Sequence, residues 1–380
     1  MVSFDFHCPT RIVFGPGRVA ELGALAKSIG GNRVLVVSDP GIEKAGHTQR
    51  GIEALVSEGF DAQVFDGLRE NPTTDHVDAG LTVARDFRPE LIVAIGGGSS
   101  MDCAKGINFL YSCGGRMQDY WGVGKATADL LPMIAVPTTA GTGSEAQSFA
   151  LISDAQTHVK MACGDKRAAF RIALLDPQLT QTQPPRVTAL SGFDAISHAV
   201  ETLVTKKRNQ MSMAFSREAW RLLTGGFERV LADPADLVAR GWMQQGACFA
   251  GLAIENSMLG GAHALANPLT ANFDTVHGEA VALMLPQIVR HNGRDAGAVL
   301  AYAELVAELG EDASEPVVAL AEYLGRLAQR AGLAGRLSEC GVDRNRLPQL
   351  AAEAAKQWTG AFNPVEMSEH DYLELYEAAF

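Results

Sequence analysis

Asp194 and His198 stand four residues apart in GFDAISHAVE, the spacing that puts two side chains on one face of a helix. His263 lies in LGGAHALANPL and His277 in DTVHGEAVAL. Of the nine histidines, these three sit among apolar or small residues, while His7, His47, His76, His158, His291 and His370 lie mostly in polar or terminal contexts. Three imidazoles and one carboxylate form a donor set suited to a first-row divalent cation such as Fe²⁺ or Zn²⁺, with room for a substrate oxygen. The HExxH pattern is absent, so metalloprotease chemistry has no support. Each histidine taken singly also reads as a satisfied core residue, and spacing alone leaves both readings open.

A second chemistry is written in glycine. The chain holds 39 glycines in 380 residues, against an average usage of about 7%. Ile95-Gly96-Gly97-Gly98-Ser99-Ser100-Met101-Asp102 follows an apolar run and opens a helical pattern. There the free N–H groups and positive dipole end of a helix favour phosphate. The segment is neither GxGxxG nor a GK[ST] P-loop, and a plain capped turn at Ser99 is the alternative. Pro137-Thr138-Thr139-Ala140-Gly141-Thr142-Gly143-Ser144-Glu145 follows another apolar run. Two such loops at strand ends point to a nucleotide site beyond the carboxyl edge of a parallel sheet. Asp39 ends RVLVVSD, where a carboxylate accepts hydrogen bonds from a ribose diol and repels a 2′-phosphate, favouring NAD over NADP; it also reads as a helix N-cap.

These residues need two kinds of scaffold. The first ~185 residues alternate short apolar runs with helical patterns, as an α/β parallel sheet with crossover helices requires. Strands are predicted at 33–38, 61–65, 90–95, 133–137 and 172–175, with helices at 18–28, 41–58, 74–86 and 99–111. After Pro184-Pro185 the pattern is helical, with segments at 187–204, 211–231, 237–254, 279–291, 317–331 and 347–359. Residues 1–185 are thus expected to form a dinucleotide-binding α/β domain and residues 186–380 an all-α, metal-binding helical bundle. Lys plus Arg total 32 against 44 Asp plus Glu, a net charge of −12, which argues against a nucleic-acid groove or a polybasic membrane surface. The six cysteines form no CxxC or zinc-ribbon spacing. No signal peptide or membrane-length apolar run is evident, so a cytoplasmic location with free thiols is expected.

The chain resembles the iron-containing (group III) alcohol dehydrogenase family along nearly its whole length. The matching segments are FGPG at 14–17, Asp39, NPT at 71–73, GGGSSMDCAK at 96–105, PTTAGTGSE at 137–145, GFDAISHAVE at 192–201, GGAH at 260–263 and HGEAVALMLP at 277–286. The resemblance implies NAD(H)-dependent hydride transfer on a small primary alcohol or aldehyde, with a metal polarising the substrate oxygen. It makes Asp194, His198, His263 and His277 the ligands, with Fe²⁺ favoured and Zn²⁺ possible. It implies that Gly97, Gly98, Ser99 and Asp102 line the pyrophosphate site and that Thr138, Thr139 and Thr142 lie near the nicotinamide. Asn71, Lys160 and Leu179 match further cofactor-contacting positions, and Asp39 the position that favours NAD. Phe149, Ile254, Leu259 and Phe362 fall where a substrate pocket is expected, or in plain core. Many members carry a histidine four residues after the third ligand, assigned to proton relay; here that position is Asn267, so no catalytic residue is assigned. A homodimer or higher homo-oligomer is implied. The alternatives are a glycerol dehydrogenase or dehydroquinate synthase-like enzyme of the same superfold, or a non-catalytic NAD- or metal-binding relative.

Overall fold

Arg33–Val37, RVLVV, buries its last four residues in succession, as a strand covered on both faces must. It is β2 of a sheet whose other members are β1 (Arg11–Phe14), β3 (Asp61–Phe65), β4 (Leu91–Gly96), β6 (Met133–Pro137) and β9 (Ile172–Leu175). All six are parallel, in the order β1-β9-β6-β4-β2-β3. Val36 pairs with Val93, and Ile134 with Ile172. Alternate residues of each strand serve opposite faces. Leu35, Val37, Ile92 and Ala94 pack with Met101, Ile107 and Phe109, while Val34, Val36, Val93 and Ile95 pack with Leu22, Leu25 and Leu55. Each such side chain, fully buried, contributes roughly 1.5–3 kcal/mol.

The computed structural model describes residues 3–380. Cys8–Gln183 form the α/β unit, and Pro184–Phe380 a helical unit. Residues 3–7 group with the helices rather than with the first domain as expected, Phe6 stacking on Phe215 at 5.9 Å. All five predicted strands are present. Sequence reasoning passed over edge strand β1 and a small second sheet of β5 (Gly122–Val123), β7 (Phe149–Ser153) and β8 (Lys160–Gly164), in the order β5-β8-β7. The helix predicted at 41–58 is two, Pro40–Lys44 and His47–Ser57, because the chain turns at Gly46 with φ +79°. The last helix predicted in the bundle ends at Ala354, and Trp358–Phe362 is a 3₁₀ turn.

The helical unit contains no strand among its described residues. Its elements are Pro185–Val204, Gln210–Ala232, Leu237–Asn256, Gly261–Phe273, His277–Asn292, Ala296–Glu308, Pro316–Arg330, Leu347–Ala354 and Glu369–Ala378. Side-chain caps start several of them: Asn209 accepts from Met211 and Ser212 N–H, Asp236 from Val238 and Ala239, and Asp295 from Ala298. Each cap is worth about 0.5–2 kcal/mol. Trp220 is wholly buried and donates from Nε1 to the Leu305 carbonyl at 3.1 Å.

Candidate active site and metal centre

In the α/β unit, strand order reverses at β2: the chain runs from β2 outward to β3, then returns to β4 on the other side. Ligands of such sheets sit beyond the carboxyl ends at that reversal. Asp39 follows β2, Gly97 to Ser99 follow β4, and Thr138, Thr139 and Thr142 follow β6. Asp39 Oδ1 caps Pro40–Lys44, accepting from Gly41 and Ile42 N–H at 2.9 and 3.1 Å, and Oδ2 accepts from Ser100 Oγ at 3.4 Å. Oδ1 thus serves the cap, while Oδ2 receives the long Ser100 contact.

Gly98 opens the 16-residue helix Gly98–Cys113. A β-carbon at Gly98 would stand 2.7 Å from Thr142 Oγ1, so the loops after β4 and β6 interlock at a distance only glycine allows. Thr138 Oγ1 is buried with no partner, an available donor at the edge of β6. Ser99 Oγ accepts from the Asn71 N–H at 3.2 Å, and Asn71 Oδ1 accepts from Lys160 Nζ at 3.4 Å, so these three positions do come together. Asp102 is buried against Ser144, whose Oγ donates at 2.6 Å, with Lys105 Nζ at 3.9 Å. Burial raises the Asp102 pKa over the opposing pull of Lys105 and Ser144. Leu179 instead packs fully buried in the apolar core beside Val13 and Leu22.

In the helical unit, Asp194 and His198 project from one face of Pro185–Val204, His263 stands on Gly261–Phe273, and His277 begins His277–Asn292. The Nε2 atoms of His198, His263 and His277 lie 3.4, 3.5 and 3.7 Å from Asp194 Oδ1, and the first two lie 3.2 Å from each other. A tetrahedron drawn with bonds of ~2.1 Å has edges of about 3.4 Å. Asp194 Oδ1 itself is buried without a hydrogen-bond partner, an arrangement that costs stability unless a cation or proton supplies compensation. The donor set thus fits a first-row divalent ion. Burial raises the Asp194 pKa, but the three histidines outweigh it and the net shift is downward. Burial also disfavours a charged His263, yet Glu201 and Asp194 hold its pKa up at about 9.

Comparison with known proteins bears directly on this pair of sites. The profile described as iron-containing alcohol dehydrogenase matches residues 9–177, and that of the Fe-containing alcohol dehydrogenase family C-terminal region matches 188–380. The chain belongs to the iron-containing alcohol dehydrogenase family. It is 32% identical over 374 residues to alcohol dehydrogenase 4 of Schizosaccharomyces pombe, covering 98% of this chain and 88% of that protein. It is 32% identical over 388 residues to 1,3-propanediol dehydrogenase of Citrobacter freundii, covering 99% of each. A crystal structure of 1,3-propanediol oxidoreductase superposes with TM-score 0.96 at 31% identity over 100% of both chains. The sulfoacetaldehyde reductase of Bifidobacterium kashiwanohense, solved with NAD⁺, superposes with TM-score 0.89 at 28% identity over 100% of this chain and 99% of that one. These matches favour an alcohol dehydrogenase over the alternatives weighed above.

The remaining positions of this iron-containing alcohol dehydrogenase are placed as follows. Asn267, one turn beyond His263, donates from Nδ2 to Gln357 Oε1 at 3.1 Å. Phe362 is half-buried, with Trp358 edge-on at 5.9 Å and Lys207 Nζ 4.7 Å above its ring. Ile254 is buried in Leu237–Asn256, and Leu259 is half-buried in the loop before His263. That loop holds Met258 at φ +141°, a strained conformation that only surrounding packing maintains. Phe149 lies on β7 in the α/β unit, its ring against Gly164. Sequence reasoning gave Glu201 no role, although it closes the GFDAISHAVE segment. It is the buried partner of His263 Nδ1 at 2.5 Å. A carboxylate seven residues after Asp194, two turns along the same helix face, was the available signal.

Proposed function

We propose that this chain is an NAD(H)-dependent oxidoreductase that interconverts a small primary alcohol and its aldehyde, on a divalent metal centre of Asp194, His198, His263 and His277. The convergence of three imidazole nitrogens on the unpartnered Asp194 Oδ1 carries the proposal. The family favours Fe²⁺, and the same donors suit Zn²⁺. When bound, the cation supplies Lewis acidity toward the substrate oxygen, and the nicotinamide the hydride chemistry.

The protein's own residues do the rest. Asp194 brings one negative charge to a buried site, where it favours a cation over a neutral occupant. The N-terminus of Gly98–Cys113 and the N–H groups around Ser99 bind the pyrophosphate. Asp39 Oδ2 accepts from a ribose hydroxyl, and Thr138 Oγ1 donates toward the cofactor. Asn267 does not titrate near neutral pH, so it would position a substrate group or a water rather than relay a proton. Cys8–Gln183 serve as the dinucleotide domain and Pro184–Phe380 as the metal domain. The family resemblance further supports a homodimer or larger homo-oligomer in the cytoplasm, which light scattering and fractionation test. No helix among the described residues is long and apolar enough to cross a membrane.

The test is NADH oxidation by metal-reconstituted protein against a panel of short aldehydes. Turnover with at least one is expected, and none with any overturns the proposal. The His263→Ala protein should lose bound metal and turnover while keeping its far-ultraviolet circular dichroism. Full metal content in that protein would remove His263 from the ligand set.

A further inference from the structure

Glu201 is 2% exposed. A carboxylate that deep persists only when its oxygens are matched by donors, and both are. Oε1 accepts from the Ala262 N–H at 2.7 Å and Oε2 lies 2.5 Å from His263 Nδ1. The adjoining N–H, that of Gly261, donates to Asn363 Oδ1 at 3.2 Å, and Asn363 is in turn held by donating to Asn292 Oδ1 at 2.7 Å and to the Val365 carbonyl at 2.8 Å. The opening turn of Gly261–Phe273 is therefore gripped at two successive backbone donors, and the ring two residues in is gripped at its far nitrogen. Glu201 sits on the helix that also carries Asp194 and His198, so one element presents two donor side chains and fixes the orientation of a third.

We infer that Glu201 is a positioning residue for the metal centre: by accepting the Nδ1 proton of His263 it locks the tautomer whose Nε2 lone pair faces Asp194. A neutral imidazole carries one proton, and its partner decides which nitrogen holds it. With Oε2 taking that proton at Nδ1, Nε2 is left as a donor atom 3.2 Å from His198 Nε2. An amide at position 201 removes the constraint, because its N–H can donate to Nδ1, push the proton to Nε2 and withdraw the ligand. Such outer partners of metal-bound histidines typically govern affinity by roughly 10- to 100-fold.

This inference rests on the metal-centre reading, and the experiment separates the two. Co²⁺ binding to metal-free wild type and to the Glu201→Gln protein is followed by visible absorption, with ¹⁵N ring resonances read on the metal-free wild type at alkaline pH, where the His263 ring is neutral and holds a single proton. The inference expects the Nδ1–H tautomer at His263, Co²⁺ affinity weakened roughly 10- to 100-fold in Glu201→Gln, and an unchanged thermal midpoint for that protein without metal. A Glu201→Asp protein, which keeps the charge but shortens the reach, should fall between them. Affinity within twofold of wild type in Glu201→Gln overturns the inference, and so does the Nε2–H tautomer in wild type, a result that needs no variant to fold. Wild-type protein that takes up no Co²⁺ overturns the metal centre itself and the inference with it, whatever the tautomer.

Discussion

Asp39 caps a helix with one carboxylate oxygen and is proposed to read ribose with the other. Its Oδ1 is committed to helix N–H groups, whereas Oδ2 is held only by a long contact from Ser100. Replacing an N-cap aspartate by glycine costs only a few tenths of a kcal/mol, so Asp39→Gly tests the ribose role without unfolding the loop. Its kcat/KM ratio for NADPH over NADH should rise by roughly tenfold or more as the repulsion is removed, and an unchanged ratio would leave Asp39 as a cap alone. Asn267 yields a second prediction. Asn267→His places an imidazole one turn from His263, and its titration near about 6.5 should add a limb to the kcat–pH profile. An unaltered profile would put position 267 outside the proton path. The four proposed ligands were legible as residue types among small neighbours, and the i,i+4 spacing of Asp194 and His198 as a shared face. Glu201 was not, because a glutamate at the end of a helical stretch reads as a solvated residue until His263, 62 residues away, is brought to it.

Elements were read best where burial is two-sided. Runs such as RVLVV and LIVAI announce central parallel strands, since no polar face interrupts them. The small sheet was missed because FALIS and KMACG are short and mixed in character, and because pairing β7 with β8 depends on a turn built by one side chain. That side chain is Asp154, which accepts from the Gln118 amide and from Gln156 and Thr157 N–H. These donors, Gln118 foremost, hold its pKa down at about 2. The depressed value means that Asp154 stabilises the fold above its unfolded pKa of about 3.9, and that the contribution is lost as pH falls toward 2. Asp154→Asn should therefore lower the thermal midpoint at pH 6, and the gap from wild type should close between about pH 4 and pH 2. A gap constant with pH would show that the turn does not depend on this charge. Helix Gly261–Phe273 escaped prediction because Gly260-Gly261 and Pro268 break its pattern. The glycines admit the main chain beside Asn363 and Glu201, so the local cost follows from the placement of His263.

At the scale of the whole molecule, the division into an α/β half and a helical half was legible from where strand periodicity stops. The placement of residues 3–7 was not, since the Phe6–Phe215 stacking that accompanies it joins residues far apart in sequence. Metal binding should stabilise the helical unit by mass action, by about 2.7 kcal/mol at a hundredfold excess over Kd. For a unit of this size that is roughly 5–10 °C. Three of the four tryptophans, Trp220, Trp242 and Trp358, lie in that unit, so intrinsic fluorescence follows its melting. Added Zn²⁺ should raise that midpoint and a chelator should restore it, whereas no shift would contradict the donor geometry. A β-carbon at Gly278 would stand 2.3 Å from the Leu190 carbonyl oxygen. Peptide therefore rests on peptide one residue after His277 and four before Asp194, and the separation of those two helices is set by groups that side-chain replacement elsewhere leaves in place. Libraries that diversify Ile254, Leu259, Asn267 or Phe362 are then expected to leave the proposed cation seat unwidened, whereas a side chain at position 278 would force the two helices apart.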